Sequence, residues 1–182
     1  MKELETRIID VDVDDIRKKL SKIGTINVKK ENQINNIFDF PDRRLLSKKG
    51  YARIRVVENL IDNSTHYFMT TKKLLSEETY KIMDEHEIEI TSDIEGQAIF
   101  EALGLTLIES IKKYRESYKY KDTLIEIDIN DKSFCPFPYI EIETADESQL
   151  REVVELLGYS MKDTNSKSIY EILKNKGKLE GV

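Results

Sequence analysis

The chain has 182 residues, of which 39% are hydrophobic, and this is enough for one ordinary domain with its own core. It carries 35 acidic and 29 basic residues, and the net charge of −6 argues against a protein that coats nucleic acid or an anionic membrane. A single cysteine, Cys135, excludes an internal disulfide. Because the N-terminus lacks a signal-peptide pattern and no apolar run is long enough for a membrane helix, we expect a cytoplasmic protein with one domain over residues 1–182.

The alternation of apolar and polar residues predicts eight strands and four helices in chain order. The predicted elements are strand 1–9, helix 13–23, strand 25–40, strand 51–58, strand 65–73, strand 83–91, helix 93–103, strand 106–120, strand 123–130, strand 139–144, helix 147–157 and helix 168–174. Asp12 with Asp15 predicts the first helix start, and Ser92 or Asp93 predicts the second. The second helix is predicted to carry Ile94, Ala98, Ile99 and Ala102 on one side.

Many strands joined by hairpins, with few helices, predict an α+β fold built on an antiparallel barrel or a strongly curved sheet. Like-signed charges recur two residues apart, and therefore on one face, in six of the predicted strands. They are Glu3 and Glu5; Arg53 and Arg55; Glu85, Glu87 and Glu89; Lys113 and Arg115; Glu126 and Asp128; and Glu141 and Glu143. The residues between them are mostly apolar, so the pattern predicts a sheet with one ionic and one apolar face.

An ionic face that simply meets water is the alternative, but such faces normally mix the two signs. Like charges about 7 Å apart repel by roughly 2 kcal/mol at an effective dielectric of about 20, so a bound counter-charge is expected. Paired carboxylates without a thiolate or imidazole cluster are typical ligands of Mg²⁺ or Mn²⁺, and paired arginines and lysines suit phosphate oxygens. If the sheet closes with this face inward, it forms a channel for a metal and a polyphosphate, with the helices packed outside.

The order of these motifs resembles the CYTH superfamily of triphosphate tunnel metalloenzymes, which includes class IV adenylate cyclases, thiamine triphosphatases and inorganic triphosphatases. The run Glu3-Leu4-Glu5-Thr6-Arg7 is similar to the family's E-x-E-x-K signature, with arginine in place of lysine. Residues 35–55 are similar to the segment that ends in the family's R-x-R, at Arg53 and Arg55. The other matches are Lys72, Glu85 with Glu87 and Glu89, Lys113-Tyr114-Arg115, Glu126-Ile127-Asp128, Glu141-Ile142-Glu143, and Lys167 before Tyr170.

The resemblance implies a closed eight-stranded antiparallel β-barrel with a charged interior, and it implies roles for individual residues. Metal ligands for Mg²⁺ or Mn²⁺ would be Glu3, Glu5, Glu126, Asp128, Glu141 and Glu143. Phosphate-binding residues would be Arg7, Arg53, Arg55, Lys72, Lys113, Arg115 and Lys167, of which Lys72 and Arg115 would also be catalytic. Glu85, Glu87 and Glu89 would position these bases or hold a second metal. Because an arginine does not deprotonate in a protein, Arg7 would serve only as a clamp.

The favoured hypothesis is metal-dependent hydrolysis of a small triphosphate, either inorganic tripolyphosphate or a nucleoside or thiamine triphosphate. A class IV adenylate cyclase that converts ATP to cyclic AMP and pyrophosphate is the alternative, and a noncatalytic polyphosphate-binding module is the third. The expected partner is the small triphosphate alone, without nucleic acid or membrane, and the choice between monomer and homodimer stays open. His66 and His86 are interpreted as ordinary surface or tunnel-wall histidines, with a metal role as the less favoured alternative, and Cys135 carries no chemistry in this interpretation.

Overall fold

A computed structural model describes residues 4–77 and 81–177 of the chain. Within these residues the elements are β1 (Leu4–Ile9), α1 (Val13–Lys22), β2 (Ile26–Asp39), β3 (Tyr51–Asn59), β4 (Thr65–Glu77), β5 (Lys81–Ile90), α2 (Asp93–Ala102), β6 (Thr106–Tyr120), β7 (Thr123–Asn130), β8 (Tyr139–Thr144), α3 (Glu147–Leu156) and α4 (Ile169–Asn175). Short 3₁₀ turns lie at Leu46–Lys48 and Met161–Asp163. The predicted order of strands and helices is confirmed.

The strands form one sheet in the order β1-β8-β7-β6-β2-β3-β4-β5. Antiparallel pairing joins β1 to β8, β7 to β8, β2 to β3, β3 to β4 and β4 to β5. The predicted α+β class and eight-stranded antiparallel sheet are therefore confirmed, whereas closure of the sheet into a barrel stays a prediction.

The described residues divide into two compact units, one from residues 4–27 with 117–177 and the other from residues 28–77 with 81–116. The prediction of a single domain over residues 1–182 therefore stays a prediction.

In the first unit, two helices cover the apolar face of β1, β7 and β8. The buried core comprises Ile8, Val11, Ile16, Leu20, Ile125, Ile127, Ile140, Ile142, Leu150, Val153, Val154 and Leu157. The Asp12 carboxylate caps α1 by accepting the amides of Asp14 and Asp15, and Asp146 caps α3 in the same way. Because every second residue of β7 and β8 enters this core, the residues between them are held on the opposite face.

In the second unit, α2 packs on the sheet through Gly96 and Phe100, which corrects the predicted packing side of this helix. Phe100 joins a core of Phe38, Ala52, Ile54 and Leu105. The residues expected on the packing side, Ile94, Ala98, Ile99 and Ala102, are instead exposed, with Ile94 at 73% and Ile99 at 52%. The missing side chain explains the difference, because a Cβ at Gly96 would lie 2.5 Å from Ile90 Cδ1 and 2.9 Å from Ile54 Cδ1. The helix backbone itself is the packing surface at this point.

The connection from β2 to β3 is held by the buried carboxylate of Asp39. It accepts the backbone amides of Leu45 and Leu46 at 3.0 and 2.8 Å, and that of Phe40 at 2.6 Å. At the end of the connection, Gly50 lies so close to β4 that a Cβ would come within 2.6 Å of the Lys72 carbonyl oxygen. These contacts fix the start of β3 against Lys72.

Candidate functional site

Four strand positions in the first unit place glutamates on one face of the sheet. Glu5 of β1 lies directly opposite Glu143 of β8, and Glu126 of β7 lies opposite Glu141 of β8. Asp128 follows Glu126 on the same side of β7. We call Glu5, Glu126, Asp128, Glu141 and Glu143 the carboxylate face. Like charges directly opposite in a sheet are destabilising, so this face needs a counter-charge.

Arg7 supplies a positive charge within the carboxylate face. Its Nε donates to Glu141 Oε1 at 2.7 Å, and its Nη2 donates to Glu5 Oε1. Burial disfavours the charge on this guanidinium, but the neighbouring Glu141 and Glu5 outweigh it and raise the pKa of Arg7 above its usual value. Arg7, which was predicted to bind phosphate, thus contacts two predicted metal ligands, Glu5 and Glu141.

The segment before α4 is joined to the same strand. Asn165 and Arg7 exchange two backbone hydrogen bonds, of 2.9 and 2.8 Å, and Arg7 Nη1 donates to the Lys167 carbonyl at 2.9 Å. The Asn165 side chain in turn accepts the Lys167 amide at 2.9 Å. Lys167 is a predicted phosphate-binding residue that lies 160 positions from Arg7 in the sequence. The structure places it beside Arg7.

Buried and exposed carboxylates are combined on the carboxylate face. Glu126 and Asp128 are 5% and 0% exposed, and Ser117 Oγ donates to Glu126 Oε1 at 2.8 Å. Glu5 is exposed, while Glu141 and Glu143 are half-buried. Glu3 lies outside the described residues.

The donor set of the carboxylate face fits a hard divalent cation, since it offers only oxygen ligands and two directly opposed carboxylate pairs. Within residues 4–77 and 81–177, however, no three His, Cys, Asp or Glu side chains are gathered into a metal-binding group. The contacts of Arg7 with Glu5 and Glu141 are consistent with this, because a guanidinium occupies oxygen atoms that a metal would need.

The second unit carries a face with the opposite charge balance. Strand pairing places Arg53 opposite Thr70 and Thr70 opposite Glu87, and it places Lys72 opposite Glu85. We call Tyr51, Arg53, Arg55, Phe68, Thr70, Lys72, Glu85 and Glu87 the arginine face. The residues that alternate with them, such as Ala52 and Ile54, enter the core under α2, and this alternation fixes the direction of the charged side chains.

Two arginines share one carboxylate on the arginine face. Arg55 Nη2 donates to Glu87 Oε1 at 2.8 Å, and Arg53 Nη2 donates to Glu87 Oε2 at 3.2 Å. Thr70 Oγ1 also donates to Glu87 Oε2, at 2.6 Å. Burial raises the pKa of Glu87, but Thr70, Arg55 and Arg53 outweigh burial and lower the pKa below its usual value. Glu87 is therefore held as a carboxylate between the two guanidinium groups.

The arginine face carries three cations, Arg53, Arg55 and Lys72, against two carboxylates. Burial lowers the pKa of Arg55, and the neighbouring charges of Arg53 and Arg115 lower it further, against the opposing effects of Glu87 and Glu31. The Nε atoms of Arg53 and Arg55 are both buried and have no hydrogen-bond partner. Buried donors without an acceptor are rare in proteins. Here both donors belong to arginines on a face whose cations outnumber its carboxylates. The arginine face therefore has the properties of an anion-binding site.

Lys72 extends the arginine face by one cross-strand pair, which it forms with Glu85. Its Nζ lies 2.8 Å from Glu85 Oε2, and Glu85 Oε1 lies 3.8 Å from Arg53 Nη2. Burial lowers the pKa of Lys72, but Tyr51 and Glu85 outweigh it and raise the pKa above its usual value. Lys72 is therefore favoured as a cation in the folded protein and is suited to binding an anion. Lys113 lies half-buried on β6, two residues before Arg115.

The structure also shows contacts that the sequence did not predict. The ring of Phe68 lies 5.0 Å from the Arg55 guanidinium carbon, and Thr70 bridges Arg53 and Glu87. The alternation of β4 would have placed both residues on the side of Lys72 if the strand had been traced back from it. The predicted Glu85, Glu87 and Glu89 all contact cationic or imidazole groups, which supports a role in positioning bases; a second metal at these residues stays a prediction.

A chain of hydrogen bonds joins Ser64, His66 and Glu89 at the start of β4. Ser64 Oγ is 2.8 Å from His66 Nε2, and His66 Nδ1 is 2.6 Å from Glu89 Oε1. Ser64 Oγ also donates to Asp62 Oδ1 at 2.6 Å, so its proton is directed away from the histidine. The chain therefore links the imidazole to two carboxylates and does not form an activated serine.

The hydrogen bond that Glu89 accepts from the His66 ring raises the pKa of His66 above its usual value of about 6.5. Since the folded state favours the protonated ring, this interaction stabilises the fold fully below the unfolded pKa and is lost as pH rises through the folded pKa. We expect Glu89→Gln to lower the pKa of His66, as measured by NMR titration of the ring protons. A His86→Asn variant assigns the two histidine signals, and an unchanged titration of His66 in Glu89→Gln would contradict the prediction.

The helices of the described residues are all too short or too polar to cross a membrane. Comparison with curated proteins gives no match.

Several solved structures share the fold of this chain. A protein of Pyrococcus horikoshii is 22% identical, with a TM-score of 0.75 over 93% of this chain and 98% of that one. A candidate adenylate cyclase of Vibrio parahaemolyticus is 20% identical, with a TM-score of 0.74 over 94% and 97%. A Hippeastrum protein described as having a dominant triphosphatase activity is 18% identical, with a TM-score of 0.66 over 97% and 96%. At these identities the likeness shows a common fold.

The resemblance inferred from the motif order is confirmed by the family comparison. The family model of the CYTH domain matches residues 1–169, which include both the carboxylate face and the arginine face. The chain therefore belongs to the CYTH domain family.

Proposed function

We propose that this protein is a divalent-metal-dependent triphosphatase that hydrolyses a small triphosphate. The observation that carries the proposal is the pair of buried Nε atoms of Arg53 and Arg55, which have no acceptor on a face with excess positive charge. Phosphate oxygens are the acceptors that arginine forks bind best. The membership in the CYTH domain family supports a triphosphate over a single phosphate.

The bases of the arginine face would bind the substrate. Arg53 and Arg55 would donate to phosphate oxygens through their Nε atoms, and Lys72 would add a third cation on the neighbouring strand. Glu87 keeps both guanidinium groups oriented, since its two oxygens accept from one arginine each. These donors would also stabilise the charge that builds on the phosphate oxygens during hydrolysis, together with Arg115 and Lys113.

The carboxylate face would hold Mg²⁺ or Mn²⁺ through Glu5, Glu126, Asp128, Glu141 and Glu143, with Glu3 as a further predicted ligand. A bound divalent ion would neutralise the phosphates and lower the pKa of the attacking water. Glu126 is oriented for this by Ser117, while Arg7 and Lys167 would bind phosphate oxygens. The closed barrel that the family resemblance implies is part of the proposal.

We favour hydrolysis over cyclisation because the cations of the arginine face are suited to phosphate oxygens, the groups on which hydrolysis acts. The Hippeastrum protein, which shares the fold, is described as having a dominant triphosphatase activity. A cytoplasmic location and the choice between monomer and homodimer stay predictions.

An activity panel tests the proposal. Purified protein is incubated with tripolyphosphate, ATP or thiamine triphosphate in Mg²⁺ or Mn²⁺, and orthophosphate, pyrophosphate and cyclic AMP are measured. We expect orthophosphate release that stops after chelation with EDTA and returns when the metal is restored. Cyclic AMP with pyrophosphate would establish the cyclase alternative, and tight tripolyphosphate binding without turnover would establish a binding module. Turnover that survives chelation would contradict the metal site.

A further inference from the structure

Among the described residues, Arg7 is the one basic residue on β1. Its guanidinium donates hydrogen bonds to acceptors within the protein. Nε donates to Glu141, Nη2 donates to Glu5, and Nη1 donates to the Lys167 carbonyl. The side chain is only 13% exposed. Two of its three partners are therefore carboxylates that the proposed function assigns to the metal.

We propose that Arg7 competes with the divalent cation for Glu5 and Glu141, so that the metal binds only when the guanidinium leaves these carboxylates. This inference rests on the proposed function, because it takes the carboxylate face as the metal site. It assigns to Arg7 a role in controlling metal affinity, in addition to its predicted contact with phosphate.

The chemistry of the guanidinium makes this competition strong. Arginine stays protonated at any pH that a protein tolerates, so the contact is not relieved by loss of a proton. Its planar fork binds Glu5 and Glu141 simultaneously, whereas a lysine ammonium is a single point charge on a flexible stem. Charge-assisted hydrogen bonds from a half-buried cation are among the stronger contacts in proteins, and the metal must replace them.

The same contact suggests an order of binding. A guanidinium that leaves Glu141 and the Lys167 carbonyl needs a new acceptor, and a phosphate oxygen provides one. Metal alone would therefore displace Arg7 at a cost, whereas metal that arrives with a triphosphate supplies both the replacement cation and the new acceptor. Metal and triphosphate should thus raise each other's affinity, as linkage requires.

Calorimetric titration with Mn²⁺ alone tests the inference on wild type, Arg7→Gln, Arg7→Lys and Arg151→Gln. We expect Arg7→Gln to bind Mn²⁺ roughly tenfold more tightly than wild type or better. Arg7→Lys should lie between them, which keeps the test available if the glutamine variant does not fold. Arg151→Gln removes the same charge at an exposed arginine of α3 that pairs with Glu147, so its affinity should stay within about twofold of wild type.

A second measurement follows the guanidinium directly. The Nε–H of Arg7, donated to Glu141 in the free protein, should give a slowly exchanging NMR signal that is lost as Mg²⁺ is added. Equal affinities in wild type and both Arg7 variants, or an Nε–H signal that survives saturation with metal, would overturn the inference and leave the metal site standing. An equal gain in Arg151→Gln and Arg7→Gln would also overturn it, because it would show a general effect of net charge. Absence of metal binding in all four proteins would overturn the proposed metal site together with the inference.

Discussion

Replacing Arg55 with alanine is expected to weaken tripolyphosphate binding by about 30- to 100-fold, which corresponds to about 2–3 kcal/mol. The alanine variant loses a buried Nε–H that lacks an acceptor in the free protein, and it loses part of the excess positive charge on the arginine face. Glu87 keeps its contacts with Arg53 and Thr70, so the remaining carboxylate is not left unpaired. Isothermal titration with tripolyphosphate measures the change.

The same substitution should leave the stability of the fold nearly unchanged. Burial and the charge of Arg53 both lower the pKa of Arg55, which means that the folded state holds this cation at a cost. Arg44→Ala is the matched control, because Arg44 is an exposed arginine of the same unit that pairs with Asp42 beside Phe40. Binding by Arg55→Ala that equals binding by Arg44→Ala would show that Arg55 does not contact the substrate.

The order of the elements could be predicted from the sequence because strand alternation and helix caps are local signals. Alternation of isoleucine with acidic residues over Glu126–Asp128 and Glu141–Glu143 gave both the strands and the face that each charge occupies. Asp12 likewise marked the start of α1 through an acceptor that needs only the next three residues. The two charged faces follow from this local pattern.

Features that depend on residues far apart in the sequence could not be predicted from these local patterns. The packing of α2 through Gly96 depends on methyl groups of Ile54 and Ile90, and no periodicity in the helix reports them. The sharing of Glu87 between Arg53 and Arg55 depends on the register of three strands, which sequence alone does not set. Local patterns thus predict which charges share a strand face, whereas register decides which charges meet.

Replacing Glu141 with glutamine is expected to lower metal-dependent turnover by roughly 100- to 1000-fold, because the variant removes one anionic oxygen ligand from the carboxylate face. Glu141 lies opposite both Arg7 and Glu126, and it accepts from Arg7 Nε at 2.7 Å. The glutamine carbonyl oxygen can still accept that bond, so the side chain keeps its shape and a partner while its charge is lost. Initial rates of orthophosphate release over a range of Mg²⁺ and Mn²⁺ concentrations measure the effect.

Glu147→Gln is the control for this variant, since Glu147 is an exposed glutamate of α3 that pairs with Arg151 on the surface of the same unit. Both variants change the net charge equally, so a general electrostatic effect would lower their rates to the same extent. Circular dichroism and thermal unfolding of both proteins separate loss of chemistry from loss of fold. If the Glu141 variant retained the turnover and metal dependence of the control, the carboxylate face would not be the metal site, and the excess cationic charge of the arginine face would indicate a triphosphate-binding protein whose chemistry lies elsewhere.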